Sequence, residues 1–334
     1  MATGNVTMSL TKAITGRRAL AAAALAGLAA PRLARAAAWP ADRTIEVIIP
    51  FPPGGGVDQM ARPILVFVAN YLPGARFAVI NRPGAAGQLG FEANFNANPD
   101  GYTIGAVTNT AMNTVAIERN PRYRADQFSW IANVVDDPGG FWVRPDSALK
   151  SLADLKAAAL RAPDTISVGT AGIGSDDHLL QLAFEQAAGV RLSHVPYAGT
   201  APVLRDLLGG TLNIGSLNMS EGLPLMKDGR IRCLAQGGPE RWAPAAEVPT
   251  FRDQGFDALG GSARGIAGPP GMPAEIVARL REAFAKALAD PAYIALAAQQ
   301  NIPLRPLIGD AYRDMMLADQ AQLRALWAIR PWRE

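Results

Sequence analysis

Ile45-Glu46-Val47-Ile48-Ile49-Pro50-Phe51-Pro52-Pro53-Gly54-Gly55-Gly56-Val57-Asp58 decides how this chain is read. Its apolar start predicts a buried strand over Ile45 to Ile49, and the pattern from Asp58 to Asn70 predicts a helix. A strand that turns through glycines into a helix opens an α/β layer. The three glycines permit tight backbone geometry and leave N–H groups uncovered, while Asp58 can cap the helix. A carboxylate fits such N–H groups at the positive end of a helix, although the same residues also suit a turn with no ligand. No Gly-Lys-Ser/Thr follows and the dinucleotide spacing is absent, so neither ATP nor NAD, nor any other cofactor, is expected.

The same alternation continues along the chain. Further strands are expected at Ala78 to Ile80, Tyr102 to Val107, Ile166 to Gly169, Leu212 to Ser216 and Ile231 to Ala235. Helices are expected at Leu152 to Leu160, Asp177 to Ala188, Ala201 to Leu208 and Ala274 to Leu288. The glycines of Pro138 to Pro145 suggest a crossing between two lobes, with a return near Gly260-Gly261. One lobe then takes residues 39–140 and 262–334, and the other 141–261.

A second anion-binding loop is expected at Thr170-Ala171-Gly172-Ile173-Gly174-Ser175, where Ser175 caps the next helix or donates to a ligand oxygen. His178 is a candidate ligand contact or a residue packed at the helix start. Tyr197 and Thr200 follow a strand ending near His194 and are candidates to line the cleft or to form a structural turn. Ser175 and His178 alone do not make a hydrolase, because Ser175 lies outside Gly-x-Ser-x-Gly and no orienting group is evident. With His178, His194 and Cys233 spread apart, no metal centre is expected, and Cys233 reads as a small buried side chain.

Residues 1–38 carry no acid. Arg17-Arg18 precede an uncharged run from Ala19 to Ala30, and Ala36-Ala37-Ala38 stand before Trp39-Pro40. This pattern predicts a cleaved export signal, of twin-arginine or general secretion type, and hence a periplasmic protein. Lys12, Arg17, Arg18, Arg32 and Arg35 all lie in it, and removing them turns the formal charge from +3 to −2. The remaining chain shows no basic stripe, so nucleic acid is not an expected partner. Its roughly 300 residues suffice for two lobes sharing a cleft.

The chain resembles the tripartite tricarboxylate transporter substrate-binding family, the Bug or TctC-like proteins. The resemblance rests on Phe51-Pro52-Pro53-Gly54-Gly55 with Asp58 and Arg62; on Asn81-Arg82-Pro83-Gly84-Ala85 with Gly87 and Gly90; and on Asn98-Pro99-Asp100-Gly101-Tyr102-Thr103. It continues through Gly174-Ser175 with His178-Leu179, His194-Val195-Pro196-Tyr197 with Gly199, and Leu207-Leu208-Gly209-Gly210. Ala86, where glycine is usual, and Asn213, where aspartate is common, depart from the pattern.

The resemblance implies a type II-like periplasmic binding protein fold, with two α/β lobes closing over an organic anion such as a carboxylate or amino acid. It implies no enzyme, and delivery to membrane permease subunits. Presentation to a membrane sensor and an exported hydrolase are the alternatives. The expected ligand-binding residues are Phe51, Pro52, Pro53, Gly54, Gly55, Gly56, Asp58, Thr108, Thr170, Gly174, Ser175, His178, Tyr197 and Thr200. Asp136-Asp137 is a further candidate, either for recognising an amino group or for capping a loop, and Arg144 is the one arginine expected near the crossing.

Overall fold

The computed structural model describes residues 1–2, 39–329 and 331–332, so the export signal expected over residues 1–38 falls almost entirely outside the described residues. Strand β1 (Ile45–Ile49) is buried except at Glu46 and pairs in parallel with β2 (Phe77–Asn81) and β3 (Thr103–Thr108). Helix α1 (Gly56–Tyr71) follows β1, α2 (Gln88–Phe95) follows β2, and α3 (Asn109–Glu118) follows β3. Met60, Ile64, Leu65 and Val68 of α1 recur at helical spacing, which buries one face of α1 in a core shared with Leu280 and Phe284 of α8 (Ala274–Leu288).

The organising element is β4, a strand of 15 residues spanning Ser129–Val143. From Ser129 to Pro138 it pairs with β9 (Gly261–Gly268), and it also meets β10 (Leu304–Ile308). From Gly139 onward it pairs instead with β7 (Ile214–Asn218) and β8 (Arg232–Gln236). A parallel set, β5 (Ser167–Thr170) between β6 (Ser193–Pro196) and β7, completes the second sheet. Its helices are α4 (Leu152–Arg161), α5 (Asp176–Ala188), α6 (Thr200–Leu208) and α7 (Met219–Lys227). Helices α9 (Pro291–Gln299) and α10 (Asp310–Ile329) return to the first sheet.

Two α/β lobes therefore share one strand. Trp130 and Ile131 of β4 enter the two cores of the first lobe, and Phe141 and Trp142 enter the two cores of the second. At the change of partners the Gly139 N–H donates to Gly260 O at 2.8 Å, and the Gly237 N–H donates to Gly139 O at 2.7 Å. Of the segments expected to cross between lobes, residues 138–143 and Gly261 lie in the paired strands β4 and β9. A side chain at Gly139 would stand 2.8 Å from Leu180, and this close approach is what the glycine permits.

Candidate functional site

Helices α1 and α5 begin on opposite sides of a cavity of ≈ 40 Å³ between the lobes. The Gly55 N-cap contributes no side-chain cap to α1, and the Gly56 N–H donates across the cleft to Glu221 Oε1 of α7 at 2.8 Å. That oxygen also accepts from Thr200 Oγ1 at 3.0 Å, while Glu221 Oε2 accepts the Asn218 N–H at 3.2 Å. The lobes meet again where Thr114 Oγ1 donates to Gly174 O at 2.6 Å. Gly174 has φ +75°, and a Cβ there would stand 2.9 Å from Thr114 Oγ1, so this contact depends on glycine.

Arg264 of β9 lies at the centre with 4% exposure. Its Nη1 donates to Asp137 Oδ2 at 3.1 Å and its Nη2 to Asn218 Oδ1 at 2.5 Å; Glu221 Oε1 lies 3.7 Å from Nη2. Asp137 is fully buried and also accepts from the Ser220 N–H at 3.1 Å and from the Ser220 hydroxyl. Asn218 Nδ2 donates both to Asp137 O and to Asp176 Oδ2, each at 2.9 Å. Strands from both lobes and the starts of α5 and α7 are tied into one polar network around a single guanidinium.

Burial pushes the Asp137 carboxyl up to about 6, against the opposing pull of Arg264. Burial likewise raises Asp176, and it raises Asp177 well above the carboxylate range with help from the negative charges of Asp176 and Glu221. A carboxyl that binds its proton more tightly folded than unfolded stabilises the fold on acidification. For Asp137 this gain appears as the pH falls from about 6 through about 4, and the Asp176 and Asp177 shifts have the same sign. Urea unfolding is expected to show stability rising by on the order of 1–2 kcal/mol from pH 7 to pH 4.5, with Asp137→Asn flattening the rise. A wild-type profile that falls steadily over that interval would contradict this assignment.

Of the residues expected to bind ligand, Phe51, Pro52, Gly55, Gly56, Thr108, Ser175 and Thr200 line the cavity. Pro53, Gly54 and Asp58 stand behind them. Asp58 accepts from the Gly54 N–H at 3.1 Å, from Arg62 Nε at 2.9 Å and from Asn81 Nδ2 at 3.1 Å, which shapes the first loop from its far side. Thr170, Gly174 and His178 build the second loop, and Tyr197 donates its N–H to Thr170 O at 3.0 Å beside it; none of the four lines the cavity. Ser175 Oγ accepts the His178 N–H at 3.2 Å, and His178 Nδ1 accepts the Gly174 N–H at 3.1 Å. The His178 ring stacks on His194 at 3.9 Å, Thr170 Oγ1 lies 2.7 Å from His194 Nε2, and the Tyr197 hydroxyl donates to Asp206 at 2.9 Å. Ser175 and His178 are thus used as a helix cap and its support.

Sequence reasoning missed the charged members of the site: Asp176, Asp177, Glu221 and Arg264. Asp176-Asp177 directly follow the capping serine, and Arg264 is a lone cation inside a glycine-rich apolar run; both were available as signals. Arg144, the arginine expected near the crossing, bonds Asp146 at 3.0 Å and does not line the cavity. Asp136 pairs with Arg305 at the surface.

Two α/β lobes joined through a continuous strand, with a cavity where they meet, define a periplasmic binding protein of type II architecture. The model of the tripartite tricarboxylate transporter family receptor, TctC, matches residues 70–327. Protein BugT of Bordetella pertussis is 32% identical over 286 residues, covering 84% of this chain and 86% of the relative. A protein from the tcbD-tcbE intergenic region of Pseudomonas sp. strain P51 is 33% identical over 287 residues, covering 82% of each. Among solved structures, a Rhodopseudomonas palustris protein with adipate superposes with a TM-score of 0.81 at 27% identity, covering 87% of this chain and 97% of that one. MatC of the same organism, with bound malate, gives 0.78 at 25% identity, covering 85% and 98%. The chain belongs to the TctC family of periplasmic solute-binding proteins.

Proposed function

We propose that this protein captures a small organic solute carrying a carboxylate by closing its lobes, and hands it to the membrane permease subunits of a tripartite tricarboxylate-type transporter. It does so in the periplasm, after export by the twin-arginine or general secretion route. The observation that carries the reading is the cavity itself. Its walls come from both lobes, so a solute there gains contacts only when the lobes meet, and closure reports occupancy to the permease. The malate and adipate held by the two structural relatives support a carboxylate solute.

Purified protein, unfolded and refolded to strip any carried solute, should be melted against mono-, di- and tricarboxylates, aromatic acids and amino acids. A solute bound only by the folded state is expected to stabilise it by about 3 kcal/mol at a hundred times its Kd. Saturable shifts confined to one class identify the cargo. A flat response across the whole panel overturns the carboxylate reading.

A further inference from the structure

The loops that in sequence offered free N–H groups to a ligand carboxylate are already served by the protein's own side chains. Glu221 takes the Gly56 N–H, and Asp58 takes the Gly54 N–H. In the second loop the Ala171 N–H donates to Asp177 Oδ2 at 3.1 Å and the Gly174 N–H donates to His178. The seat at the start of α1 thus holds a resident carboxylate, fixed from three sides by Gly56, Thr200 and Asn218.

Two residues of the cavity wall carry a buried polar atom without a hydrogen-bond partner: Asp177, 1% exposed, at Oδ1, and Thr108, 4% exposed, at Oγ1. Thr108 Oγ1 can accept a hydrogen bond, as can Asp177 Oδ1 once its carboxyl is ionised, and an unpaired buried polar atom is costly. The charge count points the same way. Asp176, Asp177 and Glu221 border the cavity with Asp137 behind them, while Arg264 is the one cation among the described cavity-lining residues and both its Nη atoms are committed. The missing complement is a compact cation with several donors. A primary ammonium has three N–H donors and the dimensions of a water molecule, which suits a cavity of ≈ 40 Å³.

We propose that the cleft selects a solute bearing a primary ammonium, seated on Asp177 Oδ1 with Thr108 Oγ1 as second acceptor, while Glu221 holds the α1 N-terminus in place of a ligand carboxylate. The proposal rests on the receptor reading above and narrows its substrate to amino-bearing compounds. Asp177 Oδ2 stays on the Ala171 N–H, so the carboxyl that meets the ammonium is oriented before the solute arrives, and the ammonium's positive charge displaces to solvent the proton that burial favours on Asp177.

Calorimetric titration of stripped protein with matched pairs tests this: succinate against L-aspartate, glutarate against L-glutamate, and propanoate against 3-aminopropanoate, with 1-aminopropane as an amine lacking the carboxylate. The amino member of at least one pair is expected to bind about tenfold or more tightly than its partner. Asp177→Asn, which keeps the shape and an acceptor for Ala171, should erase that preference. Thr108→Val, isosteric at a hydroxyl with no partner, should weaken the same compound a fewfold and serves if Asp177→Asn fails to fold. Binding of 1-aminopropane alone would support the ammonium seat and overturn the carboxylate half of the receptor reading. Carboxylates that match their amino partners in every pair that binds would overturn the ammonium seat and leave the receptor reading standing. No binding by any member would overturn the ammonium seat, while the receptor reading stands or falls on the wider melting panel.

Discussion

Arg264→Ala is expected to lower the free energy of unfolding by about 3–5 kcal/mol, measured by urea denaturation at neutral pH. The size follows from what the arginine leaves behind. Asp137 has 0% exposure, and its Oδ2 meets Nη1 of the guanidinium. Without Arg264 a carboxylate remains in the interior with only the Ser220 bonds, and Asn218 Oδ1 loses its donor. Breaking one half of a buried pair costs far more than the pair contributes, since the remaining charge has neither water nor a partner. The double variant Arg264→Met with Asp137→Asn should therefore recover most of the loss, because it removes the stranded charge along with the guanidinium. A single variant within about 1 kcal/mol of wild type would show that Asp137 takes up a proton at little cost, and the network would lose its central role.

The strands and helices that carry a plain apolar pattern were legible. Ile45 to Ile49 is found as β1 without adjustment, and the helix expected from Asp58 begins two residues earlier, at Gly56. Among the elements that escaped the pattern are β4 and β9, the pair that joins the lobes. The centre of β4 reads Asp136-Asp137-Pro138-Gly139-Gly140, a turn composition by local propensity. It is held as strand because β9 pairs along Ser129–Pro138 and because Arg264 and Ser220 receive the inward Asp137. Gly261–Gly268 is similarly poor in strand formers. At Gly265 a Cβ would stand 2.3 Å from Ala132 O, so close backbone packing, invisible in a one-dimensional pattern, selects glycine there.

The site was legible in the same partial way. Backbone chemistry could be inferred from glycines and caps, and Gly55, Gly56 and Ser175 of the two loops line the cavity. The identity of what those N–H groups hold depends on residues far away in sequence. Glu221 is 165 positions from Gly56, and Arg264 is 127 from Asp137. Local reading supplies the donors of a helix terminus, and only the fold decides whether the acceptor is a ligand or a side chain of the same chain.

Gly56→Ala separates these two levels of explanation. By helix propensity alone the substitution should be favourable, since alanine is up to about 1 kcal/mol better than glycine within a helix, and Gly56 is not among the positive-φ positions. The surroundings decide otherwise. A Cβ on Gly56 would stand 2.0 Å from Arg264 Nη1, 2.5 Å from Glu221 Oε1 and 2.6 Å from Arg264 Cζ. These are ends of side chains, which ordinarily move cheaply, but Nη1 is held by Asp137, Nη2 by Asn218, and Glu221 by Thr200 and Asn218. Making room for one methyl therefore breaks the bond between the Gly56 N–H and Glu221 and pushes the lobes apart. The variant is expected to lose about 1–3 kcal/mol of stability and to bind the solute found in the melting panel about 10- to 100-fold more weakly. Gly55→Ala is the control for stability: its Cβ would meet Thr200 Oγ1 at 3.5 Å and Pro52 O at 3.7 Å, ordinary contacts, and it should cost less than about 1 kcal/mol. If Gly56→Ala instead proves more stable than wild type with affinity unchanged, the guanidinium relocates freely, and closure of the lobes does not depend on the carboxylate of Glu221.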